Sequence, residues 1–372
     1  MTKLEAIILL SRVSCVSAKR LERFWEAGLS PEALVREPGL ALEICPDLPE
    51  GKLTQSIEKA KSEIDFAHLE RECERHEIKI VTFRDASYPA LLKEIYDPPI
   101  VLYVKGDLIP EDEAAVAVVG SRHPSPYGIR TAHRIAYELA EAGVTVVSGL
   151  AYGIDGEAHR GALDARGRTI AILGSGIDVI YPKEHEKLYR QIAESGAVVS
   201  EFPFGALPLA HHFPMRNRLI AGFSLGVLVV EAHTRSGSLI TASLAAELGR
   251  EVYAVPGPID SIQSRGTNAL IAEGAKLARS SDCILEDLMP LLRDFSDRNI
   301  SVHEDTIKKE ETNPESRHFL ELFGEGALTF DEIKSRSGLG TGELGALLSR
   351  FEFEKKLVKK PGGSYEPALM PG

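Results

Sequence analysis

The sequence predicts an α/β protein built on a doubly wound, mostly parallel sheet, with a helical segment before it and a second small module after it. Three observations carry this. Six short runs between residues 116 and 255 are continuously apolar, as strands buried on both faces of a parallel sheet must be. Amphipathic stretches such as Ile129 to Ala142 and Leu239 to Leu248 separate them, and strand–helix alternation is the signature of the doubly wound class. The segments before and after this zone change in composition.

Residues 1–75 read as short helices, with Leu4-Ile7-Ile8, Leu21-Phe24-Trp25 and Leu53-Ile57-Ile64 at helical spacing. Gly28-Leu29-Ser30-Pro31 and Pro46-Asp47-Leu48-Pro49 read as turns leading into caps. Residues 76–290 hold the six strands: Val116–Val119, Val144–Val147, Thr169–Leu173, Ala197–Val199, Val227–Val230 and Glu251–Val255. Residues 291–313 are polar and charge-dense, ending in Lys308-Lys309-Glu310-Glu311-Thr312-Asn313, and read as a linker. Within 314–372, helices are expected around Phe319–Phe323, from Thr329 to Ser335 and from Thr341 to Lys356, followed by a β-turn-β wing over Leu357–Tyr365. This is the outline of a winged helix; a plain three-helix bundle also fits.

At roughly 100–200 residues per domain, 372 residues suit two or three domains. The four cysteines, Cys15, Cys45, Cys73 and Cys283, have no Cys-x-x-Cys or Cys/His ligand spacing, so they read as buried thiols, and neither a disulfide frame nor a metal site is expected. No apolar run approaches the ~20 residues that span a bilayer, and Leu4–Leu10 is too short and interrupted for a signal peptide, so a cytoplasmic protein with no membrane contact is expected. The net charge of -12 argues against a surface coated in basic patches, but not against a local basic site.

Nearly every predicted strand ends in Gly or Ser: Gly120-Ser121-Arg122, Ser148-Gly149, Gly174-Ser175-Gly176, Ser200, then Ser236-Gly237-Ser238 and Gly257. Ligands of open α/β sheets bind beyond the carboxyl ends of the strands, where helix N-termini and bare N–H groups converge. Small residues on one rim therefore suit phosphate; they also suit tight strand-to-helix turns. There is no Gly-x-x-x-x-Gly-Lys-Ser/Thr, no third Gly after Gly174-Ser175-Gly176 and no ribose-spaced carboxylate, which disfavours P-loop and dinucleotide sites; no cofactor is expected. Asp155, at a helix start, reads as a backbone cap, and His159 one turn later as its hydrogen-bonded partner, with acid–base work by the pair as the alternative.

The most specific cluster is His211-His212-Phe213-Pro214-Met215-Arg216-Asn217-Arg218. Arginine forks suit phosphate oxygens, and Phe213 offers a stacking face for an unpaired base. With Arg122, three guanidiniums could line one rim; alternatively Arg216 and Arg218 pair with Glu201 and Glu231 and knit the sheet.

Together, Val119-Gly120-Ser121-Arg122, Ser148 to Asp155 with Ala158-His159, Phe213 to Arg218, Ser236 to Ala242 and Val255-Pro256-Gly257 resemble the DprA/Smf family, in order and over residues 80–290. The resemblance implies a Rossmann-like core that binds single-stranded DNA, a SAM-like N-terminal helical domain, a C-terminal winged-helix domain, a homodimer and delivery of the strand to RecA recombinase. It places the binding site on Gly120, Ser121, Arg122, Ser148, Gly149, Phe213, Arg216, Asn217, Arg218, Gly237 and Ser238, with no catalytic residue. Arg122 and Arg216 are expected to supply surface charge whose removal leaves the fold intact. His211-His212 stand where many relatives carry Asn or a basic residue, and neutral imidazoles add little phosphate affinity above ~6.5. An alternative on the same sheet is a nucleoside-monophosphate phosphoribohydrolase, whose catalytic glutamate falls on Leu244 here. A transcription factor is a third reading, but Glu343, Glu352 and Glu354 among Arg350, Lys355 and Lys356 suit a protein partner better than a duplex.

Overall fold

The computed structural model describes residues 1–291, 328–337, 348, 357–360 and 364–367. The chain divides into two units, Met1–Phe295 and Ser296–Gly372.

The first unit opens with six helices: α1 (Lys3–Leu10), α2 (Ala18–Glu26), α3 (Pro31–Arg36), α4 (Leu40–Ile44), α5 (Glu50–Glu63) and α6 (Phe66–His76). The start signals read from the sequence are present as caps. Ser30 accepts from Ala33 N–H with Pro31 in the first helical turn, and Pro49 leads into α5. Leu9, Leu10, Leu21, Phe24, Leu34, Leu53 and Ile57 are fully buried, each contributing about 1.5–3 kcal/mol of burial. They belong to the same apolar cluster as the sheet residues Leu102, Ala117 and Ile170, so the helices share one core with the strands.

The sheet has nine strands: β1 (Ile78–Thr82), β2 (Val101–Gly106), β3 (Ala115–Val119), β4 (Thr145–Ser148), β5 (Thr169–Ile172), β6 (Ala197–Ser200), β7 (Gly226–Val229), β8 (Glu251–Ala254) and β9 (Lys276–Leu277). Their order is β1-β2-β6-β5-β4-β3-β7-β8-β9. From β6 to β9 every pairing is parallel, and β2 joins β6 and β1 antiparallel. The six expected strands are β3 to β8; β1, β2 and β9 were not foreseen. In β3 the two faces are both dry: Val116 and Val118 pack into one cluster, Ala115, Ala117 and Val119 into the other. That burial on both sides is why these runs lack polar alternation.

After the one-turn helix α7 (Ala90–Lys93), crossover helices cover both faces. They are α8 (Pro126–Glu141), α9 (Ile154–Asp164), α10 (Glu186–Ser195), α11 (His212–Gly222), α12 (Gly237–Glu247) and α13 (Arg265–Ala272). Ile135, Leu139 and Ala158 of α8 and α9 join one cluster, and Leu219, Ile220, Ala242 and Ala245 of α11 and α12 join the other. From β3 the chain winds outward through β4, β5 and β6, and then returns to place β7 on the other side of β3. The direction of winding reverses between β3 and β7, which is where an open α/β sheet leaves a crevice. Among the described residues no helix is long and apolar enough to cross a membrane.

In the second unit, Leu328–Thr329, Leu357–Lys359 and Ser364–Pro367 form a three-stranded antiparallel sheet with the last strand in the middle. The helix Phe330–Ser337 follows the first strand, and Glu332 Oε2 accepts from Thr329 N–H at 2.8 Å. The helices expected around Phe319–Phe323 and over Thr341–Lys356 lie outside the described residues, apart from Leu348, which is buried.

Candidate nucleic-acid interface

A cleft of ≈ 740 Å³ opens at the reversal point between β3 and β7. One wall is the β3 exit loop, Val119 to His123, the floor is the start of α11, and the opposite wall is His233 to Ser238 at the start of α12. The β3 loop depends on Gly153. Its φ of +75° disfavours any side chain, and a Cβ there would stand 2.4 Å from Ser121 O.

Arg216 anchors the floor. It is 3% exposed, and its Nη1 donates to Gly149 O at 2.7 Å and to Ile172 O, two carbonyls at the ends of β4 and β5. A Cβ on Gly149 would come within 2.5 Å of that nitrogen, so glycine is what allows the guanidinium to lie against the loop. Burial lowers the Arg216 pKa to about 10, with the Arg122 charge adding to the shift and Asp155 opposing it; the side chain stays charged at neutral pH. The counter-charge is Asp155, buried and accepting from Gly149 N–H at 3.2 Å. Burial raises its pKa, while Arg216 and the N–H groups of Ala151 and Gly149 hold it down. Arg216 Nε also donates to Asn217 Oδ1 at 3.3 Å, and Asn217 Nδ2 to Gly237 O at 3.3 Å, tying α11 to α12.

Above this buried layer lie the groups that can meet a ligand. The guanidinium of Arg122 sits 5.0 Å from the Phe213 ring centroid, within cation–π reach. Tyr181, 40% exposed, approaches the same ring at 5.8 Å between centroids. Across the cleft, Arg235 is exposed on the loop that ends in Ser236, whose hydroxyl accepts from Ser238 N–H and caps α12. A Cβ on Gly237 would meet nothing within 4 Å, so the α12 N-terminus, with its partial positive charge, faces open space. Among the described residues neither Arg122 nor Arg235 is in an ion pair. The result is a trough with two cations, two aromatic rings and a helix N-terminus, suited to a phosphate chain carrying unpaired bases.

Eight of the eleven expected residues come together in this cleft: Gly120, Ser121, Arg122, Phe213, Arg216, Asn217, Gly237 and Ser238. Three do not line it. Ser148 is fully buried, and its hydroxyl donates inward to Val118 O at 2.6 Å. Gly149 lies beneath Arg216. Arg218 points away, donating to Asp97 O at 2.7 Å and pairing with the half-buried Glu201, so it knits the rim as the alternative reading had it. Glu231, by contrast, accepts from Ser125 N–H and Oγ rather than from an arginine. Arg216 itself is a buried strut and not the surface ligand expected from the sequence. Arg235, His233 and Tyr181 line the cleft as well, outside the expected set. Arg235 was legible as a cation one residue before the Ser236 cap; Tyr181 follows no strand directly and had no local signal. Among the described residues no group of three or more His, Cys, Asp or Glu side chains could hold a metal ion.

The expected Asp155–His159 pair is also replaced. His159 Nδ1 meets Thr169 Oγ1 at 2.7 Å, and that hydroxyl donates onward to Val146 O, so the imidazole is the donor. Burial, with the charges of His185, Arg160 and Arg216, lowers the His159 pKa to about 3. The folded protein thus keeps this histidine neutral while the unfolded chain, with a pKa near 6.5, takes up a proton. Stability from this group is complete above 6.5 and is lost as pH falls through the window down to 3, at a slope approaching about 1.4 kcal/mol per pH unit. Thermal melts of the wild type and His159→Gln between pH 7 and pH 5 are expected to show the steeper decline in the wild type; parallel curves would contradict it.

Fold and cleft together define an α/β protein with an arginine-lined crevice at the switch point of its sheet. A family model described as DNA recombination-mediator protein A matches residues 79–289, and the chain belongs to the DprA/Smf family. It is 42% identical to the protein Smf of Escherichia coli (strain K12) over 280 residues, 74% of each chain. It resembles the X-ray structure of DNA processing protein A from Streptococcus pneumoniae with a TM-score of 0.66 and 39% identity, covering 77% of this chain and 98% of that one. It also resembles DNA processing protein A from Helicobacter pylori, a structure described for its single-stranded DNA binding mode, with a TM-score of 0.52 and 31% identity over 57% of this chain and 96% of that one.

Proposed function

We propose that this chain binds single-stranded DNA in the β3/β7 cleft, largely independently of sequence, and acts as a non-catalytic mediator that protects incoming strands in natural transformation and loads RecA recombinase onto them as a homodimer. The observation that carries the reading is two guanidiniums, Arg122 and Arg235, in no ion pair among the described residues, facing one trough with Phe213 and Tyr181. Phosphates lie between the arginines and the N-terminus of α12, and unpaired bases meet the rings. A duplex keeps its bases stacked inside and cannot use those rings. Family membership and the Helicobacter pylori relative support the same reading. In this reading the second unit is a winged helix that contacts protein or assists binding.

A gel-shift titration with mass measured in solution tests this. Single strands are expected to bind at least about tenfold more tightly than duplex of the same length, to a dimer, with affinity falling steeply as salt rises. Equal binding of duplex, or hydrolysis of AMP by the pure protein, would overturn the reading.

A further inference from the structure

A second groove, of ≈ 650 Å³, lies far from the cleft in the chain, between α1, α6 and the edge strand β1. Its lining includes Leu4 and Ile8 of α1, Phe66 and Leu69 of α6, and Ile80 of β1. The helix α6 is amphipathic, yet it holds no buried residue, and Leu4 is 42% exposed. Phe66, Leu69, Cys73 and Ile80 pack against the core but stay only half-buried, and Leu4 keeps an exposed face.

The rim is acidic. Glu70 and Glu74 stand one helical turn apart on α6, beside the Phe66–Leu69–Cys73 stripe, and Glu77, the left-handed C-cap of the helix, continues the same groove wall. Among the described residues none of the three is in an ion pair, whereas their neighbour Glu72 faces both Arg75 and His76. Glu74 and Glu77 also stand at the C-terminal end of α6, where the helix dipole disfavours negative charge. The lysine of the groove, Lys79, is engaged by Asp107. An apolar stripe and a parallel row of uncompensated carboxylates fit a segment rather than a compact ligand.

We propose that this groove docks an amphipathic helix of a protein partner, one that lays aliphatic side chains on the floor and Lys or Arg along the Glu70–Glu77 edge. This is recognition of helix-in-groove type, and the charge sets its orientation and salt dependence. It is separate from strand binding in the cleft.

The test uses the full chain and a fluorescein-labelled synthetic peptide of about 18 residues, with Leu at helical spacing and Lys on one flank. Two controls are a scrambled peptide of the same composition and a version with Glu in place of Lys. Anisotropy is expected to show saturable binding of the first peptide only. The double variant Glu70→Lys/Glu74→Lys should weaken it about tenfold or more, and Glu70→Gln/Glu74→Gln by an intermediate factor. Both substituted residues, Glu70 and Glu74, are exposed, so melting temperature should not fall and single-strand affinity should not change. Equal binding of the scrambled peptide, or unchanged binding by both double variants, would overturn the proposal. So would a shift from dimer to monomer in the double variants, since the occupant would then be a second copy of this chain.

Discussion

Arg216→Ala is expected to destabilise the protein by about 3–5 kcal/mol and to abolish strand binding through loss of the site's floor, not through loss of a phosphate contact. The side chain is buried, satisfies the carbonyls of Gly149 and Ile172, and compensates the buried carboxylate of Asp155. Removing it leaves two acceptors and one carboxylate without a cation in a dry interior, the costly half of the asymmetry between making and breaking a buried pair. Arg216→Lys should rescue little, because one ammonium on a flexible stem cannot reproduce a planar fork against two carbonyls and an amide oxygen. Urea midpoints of the wild type and both variants check this. An Arg216→Ala protein with wild-type stability and weakened binding would return Arg216 to the surface role first read from the sequence.

The double variant Arg122→Ala/Arg235→Ala is expected to do the opposite: bind single strands about 100-fold more weakly at low salt, at unchanged stability. Both side chains are exposed and neither is in an ion pair among the described residues, so truncation should move the unfolding free energy by no more than ~0.5 kcal/mol. If each contacts one phosphate, the slope of log affinity against log salt should shrink by about 1.4, twice the single-strand value per contact. Arg122→Ala also frees the Phe213 face of its cation, so easier base stacking offsets part of its loss; Arg235→Ala should therefore show the larger loss of affinity of the two, while each single variant lowers the slope by about 0.7. A titration series in salt measures all of this; a double variant with wild-type affinity and slope would remove both residues from the site.

The central strands were readable because burial on both faces leaves only apolar residues in them. β1 was not, since exposed Lys79 and half-buried Ile80 interrupt its buried run at the sheet edge, and β9 has two residues, both exposed. In the site, chemistry was legible and depth was not. Phe213, Arg216, Asn217 and Ile220 recur at spacings of three, one and three, which at about 100° per residue places them on one side of α11, while Arg218 falls about 140° from Phe213. That separation sends Arg218 to Glu201 and the other four to the cleft, and helical geometry alone contained it. What it did not contain is that Gly149 and Ile172 would present carbonyls to Arg216, or that Thr169 would take His159. Those partners come from strands paired across the sheet, and their register is a tertiary fact. The net charge of -12 is reconciled in the same way: a few cations face one trough, and acids such as Glu70 and Glu74 lie elsewhere.

The most direct test of where a strand lies is photocrosslinking. A single-stranded oligonucleotide carrying 5-bromodeoxyuridine is bound to the full chain and irradiated, and the adducts are mapped by mass spectrometry. The cleft account predicts adducts on the peptides holding Phe213 and Tyr181, suppressed by Arg122→Ala/Arg235→Ala. Adducts confined to residues 328–367, or to the α1–α6 segment, would contradict it.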